Sequence, residues 1–188
     1  MLNLCAMKQS NFMTTTGLIA GLYAALTIFL APISFGPLQI RVAEALTVLP
    51  YLMPQAIWGL WIGCMVANIY GGLGPIDIFG GSFITLLAAG TTYFLQRFDK
   101  PVLAPLPPVL WNAFGVSAYL HLLIVPPKIS FWRLSQLSPY FLFVILIGLG
   151  ELVACYGLGY PLLLVLKQRF DFIGERFKNN YDSSNKDH

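Results

Sequence analysis

Long apolar runs, broken at a few charged or proline-rich points, organise this chain. Gly17 to Ile40 contains no charged residue, and its helical part is predicted to end near Pro32. From Val42 to Ile76 the only charge is Glu44, with Pro50 and Pro54 interrupting the run. Ile78 to Gln96 and Val102 to Pro127 are charge-free, and Leu134 to Leu166 carries Glu151 as its single charge. About 20 apolar residues cross a bilayer as a helix, so four of these runs predict one span each.

The segment from Val42 to Gly72 is long for one helix and short for two, with Met53-Pro54 as a tight turn between halves. Charge decides the parity. Two short crossings make six spans and put both chain ends on one side, together with Lys8, Arg97, Lys100 and the basic tail residues Lys167, Arg169, Arg176, Lys178 and Lys186. Only Arg41, Lys128 and Arg133 then lie outside, as the positive-inside rule prefers. The expected architecture is therefore an all-α integral membrane protein, a six-transmembrane-helix bundle with cytoplasmic N- and C-termini. The expected spans are 17–32, 42–53, 55–72, 77–96, 103–125 and 139–166, within one membrane domain covering 1–177. Residues 178–188 form a polar tail expected to be disordered. The outer connections, Pro32 to Arg41, Gly71 to Pro75 and Pro126 to Pro139, all carry the Gly or Pro that punctuates helices.

Composition agrees with a chain solvated by lipid. Charged residues are 10% of the sequence and hydrophobic residues 57%, against about 25% charged in a soluble domain; mean hydropathy is +0.71. The net charge of +3 reads as a positive-inside anchor, and no basic stripe interleaved with aromatics suggests nucleic-acid binding. Cys5, Cys64 and Cys155 have no paired spacing, so no disulfide framework or metal site follows; two lie in apolar runs, where Cys acts as a small hydrophobe. No Walker A, zinc or serine-hydrolase motif is present. Ser82 after Gly80 and Gly81 lacks the partners of a nucleophile. The chain is expected not to be an enzyme and to hold no cofactor.

Polar groups inside hydrocarbon are costly, and each is a functional-site hypothesis. The candidates are Arg41, Glu44, Asn68, Asp77, Asn112 and Glu151. Six spans place all of them in the outer half or at the midplane, with Glu151 about 16 Å below the outer end of its helix at 1.5 Å per residue. That distribution predicts a cavity opening outward, floored by Glu151 and Asn112 and covered by the outer loops. Trp61, sharing a face with Met65 and Asn68, is expected to line it. Other readings remain open: Arg41 with Glu44 as an interfacial salt bridge, Asp77 as a helix N-cap, Asn68 and Asn112 as interhelical hydrogen bonds, and His121 as an interfacial residue. Small residues four apart, Ala20 and Ala24 beside Gly17 and Gly21, and Gly59, Gly63 and Ala67, let helix backbones approach closely in lipid. They serve packing within the bundle or docking of another membrane subunit.

The stretches LAPISFGPLQIRVAEALTVLPYLMP and GLWIGCMVANIYGGLGPIDIFGGS resemble the queuosine-precursor transporter (QueT) family, substrate-binding S components of energy-coupling factor transporters. The specific part runs from about Gly17 to Gln96, with Ile40-Arg41-x-x-Glu44-Ala45-Leu46-Thr47 before a proline-broken helix as its sharpest motif. The resemblance implies a multi-pass protein of the bacterial plasma membrane, six helices, an outward pocket and no ATP site of its own. It implies docking through an Ala-x-x-x-Ala pattern, matched by Ala20 and Ala24, onto a transmembrane coupling (T) subunit that carries two cytoplasmic ATPases. The implied substrate is queuine or a pre-queuosine base, all 7-deazaguanines. Glu151 is then the candidate to accept the ring N–H and exocyclic amine, Asn112 to meet the carbonyl edge, and Glu44 or Asp77 to meet a cationic amine. Two other classes stay in view: a proton-coupled secondary carrier using Asp77 and Glu151 as a relay, and a membrane scaffold using its small-residue faces.

Overall fold

The computed structural model describes residues 2–35, 40–123, 138–169 and 172, and the described residues are helical with no strand. Helix α1 (Leu2–Phe29) starts earlier than the apolar run because nothing between Leu2 and Thr16 breaks a helix. It gives way to the single turn α2 (Ala31–Ser34), with Pro32 near its start, as the predicted end near Pro32 requires. Val42–Tyr51 follows as a 3-10 helix with Pro50 inside it. At about 2.0 Å per residue, ten such residues reach roughly 20 Å, about a third farther than as an α-helix. Met53-Pro54 ends this segment, and α3 (Gln55–Gly71) begins directly after it. The expected break within 42–72 is thus present, with a 3-10 rather than an α-helical first half.

Gly72 closes α3 in the left-handed region at φ 71°, where a residue without Cβ carries no steric penalty. Asp77–Gly81 is a π-helical turn leading into α4 (Ser82–Leu95). After a second turn come α5 (Leu106–Leu110), the π-helical Trp111–Val116, and α6 (Ser117–Leu123) in one continuous body. Helix α7 (Pro139–Glu151) runs into π-helical Leu152–Gly159, and the apolar helix extends to Arg169. Three helices, Asn11–Phe29, Asp77–Phe98 and Pro139–Arg169, are long and apolar enough to cross a membrane. The polar tail, Lys128, Arg133 and most of the third expected outer connection lie outside the described residues.

Among the described residues the helical bodies alternate in direction. A Cβ on Gly59 would touch Thr16 and Ile19, and one on Gly63 would touch Ala20 and Tyr23, so α3 runs parallel to α1. The Val42–Tyr51 segment must return between them. It runs parallel to the last helix, where Cys155 meets Glu44 and Thr47 and Gly159 meets Ala45 and Val48. Asn112 against Glu151 and His121 against Tyr140 set 106–123 antiparallel to α7. Lys167 pairs with Asp99 at 3.0 Å, joining the end of the last helix to the turn after α4.

The Val42–Tyr51 segment is the centre of the molecule, with every residue from Ala43 to Tyr51 buried. It packs on α1, α3, α4 and Leu152–Gly159. Large apolar side chains such as Leu18, Phe29, Ile69, Phe83, Leu149 and Val153 point outward, while Arg41, Glu44, Asn68, Asp77, Asn112 and Glu151 are buried. A polar interior inside an apolar shell is the arrangement that a bilayer stabilises.

Candidate functional site

All six charged or amide candidates are at least nine-tenths buried, from 0% exposure at Asn68 to 7% at Arg41. Three of them, Arg41, Asn112 and Glu151, line one cavity of about 10 Å³ with Gly81, Thr85, Val116 and Ile147. On one wall Asn112 Nδ2 donates to Glu151 Oε1 at 3.0 Å, and Cys155 Sγ lies 3.4 Å from Glu151 Oε2. Asn112 and Glu151 come from antiparallel helices that approach closely because Gly148 sits against Ala113.

Glu44 stands beside this pair. Tyr23 on α1 donates to Glu44 Oε1. Glu44 Oε2 has no hydrogen-bond partner. The backbone is tied in as well: Glu44 O accepts from Thr47 Oγ1 at 2.5 Å and from Cys155 Sγ at 3.5 Å.

Asn68 and Asp77 form an adjoining cluster. Tyr119 donates to Asp77 Oδ1 at 2.7 Å, and Asn68 Nδ2 donates to the Asp77 carbonyl at 2.9 Å. Gly81 separates this cluster from the cavity it lines. A Cβ there would fall 2.8 Å from both Asn68 Nδ2 and Tyr119 Oη, so only glycine permits the approach. Asp77 Oδ2 and Asn68 Oδ1 are without partners. Cys64 links the cluster to Arg41, receiving Thr85 Oγ1 at 3.3 Å, Asn68 Nδ2 at 3.6 Å and Arg41 Nη1 at 3.9 Å.

Three of these residues sit where the helices depart from α geometry. Asp77 opens one π segment, Asn112 is the second residue of another, and Glu151 immediately precedes the third. Such π turns recur at functional sites.

Several expectations are corrected. The salt bridge of Arg41 with Glu44 is not formed: among the described residues the ion pair within 4.0 Å is Lys167 with Asp99. Asp77 makes no capping hydrogen bond, because Tyr119 claims its carboxylate. Trp61 does not line the cavity; it packs edge-on against Trp58 at 5.9 Å, since Cys64 and Asn68 occupy the inward face of α3. The outer connections expected to cover the cavity lie partly outside the described residues; those described enclose a water-sized space, and Val116, Leu120, Phe143 and Ile147 pack into an apolar cluster beside it. His121 binds the Ser117 carbonyl and packs edge-to-face against Tyr140, away from the cluster. Tyr23, Cys64, Thr85, Tyr119 and Cys155 were not anticipated; each looks like an ordinary residue of an apolar run, and none carries a sequence signal that separates it from packing. On α1, Ala24 is buried and Ala20 half-buried against Gly63, whereas Gly17 and Gly21 face open space.

The sequence model of the family described as QueT transporter matches residues 13–168. A queuosine precursor transporter QueT from Lactococcus lactis subsp. cremoris (strain MG1363) is 34% identical over 99 residues. That alignment spans 50% of this chain and 58% of the relative. No solved structure gives a significant match.

Proposed function

The chain belongs to the QueT transporter family, and from that premise we propose that it is the substrate-binding S component of an energy-coupling factor importer, capturing a 7-deazaguanine precursor of queuosine from outside a bacterial plasma membrane. The observation that carries this reading is the buried polar constellation of Arg41, Asn112 and Glu151 around one cavity, with Glu44, Asn68 and Asp77 behind it. Buried carboxylates in hydrocarbon cost several kcal/mol unless compensated, and a donor-rich heterocycle supplies that compensation. Glu151 is the proposed acceptor for the ring N–H and exocyclic amine. Glu44 and Asp77, each with one oxygen lacking a partner, are the proposed seats for a cationic amine.

The membrane topology belongs to the same proposal: six crossings with both ends cytoplasmic. The parallel register of α1 and α3 supports it, because a single crossing over 42–72 would set them antiparallel. Ala20, half-buried on α1, is the proposed contact for a transmembrane coupling subunit with two ATPases, with Gly17 and Gly21 on the open side of the same helix, while Ala24, proposed with it from the sequence, is buried within the bundle.

Ligand pockets begin near 300 Å³ and the described residues enclose about 10 Å³ at this site, so the proposal includes a parting of its walls around a bicyclic base. The apolar cluster of Val116, Leu120, Phe143 and Ile147 is the part of the wall proposed to yield. The test is titration of queuine and its precursor bases against the detergent-solubilised protein, followed by uptake into vesicles with and without the ATPase-bearing partner. Binding together with ATP-dependent uptake supports the proposal. Uptake driven by a proton gradient alone establishes the carrier mechanism instead, and absence of any deazaguanine binding rejects the substrate class.

A further inference from the structure

The cavity has one acceptor wall and one donor wall, and the donor is not the residue expected from the sequence. The amide nitrogen of Asn112 is engaged with the Glu151 carboxylate at 3.0 Å. Asn112 therefore holds the Glu151 carboxylate in place, and its amide is committed to that acid rather than turned to a ligand oxygen.

Arg41 is in the opposite condition. Its guanidinium lines the same cavity, is 7% exposed, and has Nε without any partner. Its Nη1 reaches only the sulfur of Cys64, at 3.9 Å, and a thiol is a weak acceptor. Its Cζ lies over the Phe35 ring, 5.4 Å from the centre, a cation–π contact that supplies no oxygen acceptor to the N–H groups. A buried donor of a charged group left unpaired is destabilising, and an oxygen brought by the ligand removes that cost. The oxygen belongs to a neutral carbonyl rather than a carboxylate or phosphate: Glu151 lines the same cavity as Arg41, and an anion there would face that acid.

We infer that Arg41 reads the ring carbonyl of the ligand while Glu151, across the cavity, takes the adjoining N–H, so that together they recognise a lactam edge. This inference rests on the reading that the site takes a 7-deazaguanine. It makes Arg41 the residue that selects an oxo base, and Asn112 a positioning residue.

The test compares 7-deazaguanine with its 6-thio analogue, which keeps the ring N–H and replaces the carbonyl oxygen with a weakly accepting sulfur. Affinities are measured on wild type, Arg41→Met and Asn112→Ala by titration in detergent. Wild type is expected to prefer the oxo base about tenfold. Asn112→Ala is expected to weaken both ligands and keep that ratio, and Arg41→Met to bring the ratio close to one. A ratio measured on one sample does not depend on how much of the protein is folded. Where Arg41→Met cannot be purified, loss of the ratio in Asn112→Ala by itself overturns the assignment, and Arg41→Lys, which keeps the charge and loses the planar donors, is expected to reduce it. A wild-type ratio near one, or a ratio lost in Asn112→Ala and kept in Arg41→Met, overturns the assignment. Failure of wild type to bind either base rejects the substrate class itself, a different result from indifference to the oxygen.

Discussion

Gly63→Ala is the sharpest perturbation the fold offers, because the added methyl group has nowhere to go. Its Cβ would lie 2.7 Å from the Ala20 carbonyl oxygen, 2.8 Å from Tyr23 Cβ and 3.1 Å from Ala20 Cα. Ordinary contacts begin at 3.4 Å, so α1 must retreat by several tenths of an ångström, and none of the three atoms can rotate aside. Overpacking of this kind costs typically 1–3 kcal/mol. The retreat also draws Tyr23, wholly buried, away from Glu44, whose other oxygen already lacks a partner. Weakening a hydrogen bond to a charged group adds about 1.5 kcal/mol or more. A total of about 3 kcal/mol corresponds to a loss of roughly 6–12 °C in melting temperature for a protein of this size. Gly21→Ala supplies the control, since its Cβ meets nothing within 4 Å and Ala is the better helix former by about 1 kcal/mol. The assay is thermal unfolding of both variants in one detergent, with solute affinity measured on each. Equal melting temperatures would refute the close parallel crossing of α1 on α3. A loss of stability with unchanged solute affinity would refute the link through Tyr23.

Further outcomes are expected on the same grounds. Glu151→Gln keeps the acceptor for Asn112 and can turn its amide toward Cys155, so the melting temperature of the protein should hold or rise. The amide meets the ligand's donors with a donor, and affinity for 7-deazaguanines should fall about tenfold to hundredfold; unchanged affinity in titration removes Glu151 from the site. Ala20→Leu should abolish association with the coupling subunit and uptake while solute binding persists; equal loss of solute binding assigns that face of α1 to the core. Single cysteines at Ser135 and Ser183, both outside the described residues, should label from opposite sides of intact cells in a cysteine-free background. Labelling of both from outside overturns the six-span topology.

The helix boundaries were legible wherever a proline or glycine marks them, at Pro32, Pro54 and Gly72, because those residues act through the backbone alone. The candidate site was legible as a set of costly polar residues, since hydropathy exposes Glu44, Asp77 and Glu151 without knowledge of neighbours. The 3-10 geometry of Val42–Tyr51 was not: a run buried on every side has no polar face, so periods of 3.0 and 3.6 leave the same pattern. Partner choice was not legible either. Asp77 at a helix start reads as a cap, and only the approach of Tyr119, 42 positions along, shows where its carboxylate goes. Cys64 and Cys155 read as small hydrophobes, yet their sulfurs occupy the junctions between polar side chains from different helices.

The backbone divides the bundle into two kinds of material. Helices α1 and α3 are α-helical throughout and meet along Gly59 and Gly63 with almost no spare distance. The other bodies leave α geometry where they approach the cavity: the 3-10 segment after Arg41 carries Glu44, and π segments begin at or beside Asp77, Asn112 and Glu151. In lipid every backbone polar group needs an internal partner, which a π segment keeps even where its side chains, such as Phe79, Phe114 and Val153, are exposed. A tightly locked pair transmits displacement as a unit, whereas segments between two helical hydrogen-bond registers can change length locally. The proposed docking contacts lie on the locked pair and the proposed solute contacts mostly on the adjustable side. Tyr23 is the side chain of α1 that reaches from one to the other, through its hydrogen bond to Glu44. The α3 side of the pair reaches the site through Cys64 and Asn68, and Tyr23→Phe, which keeps the ring and removes the hydroxyl, is the change that isolates the α1 side.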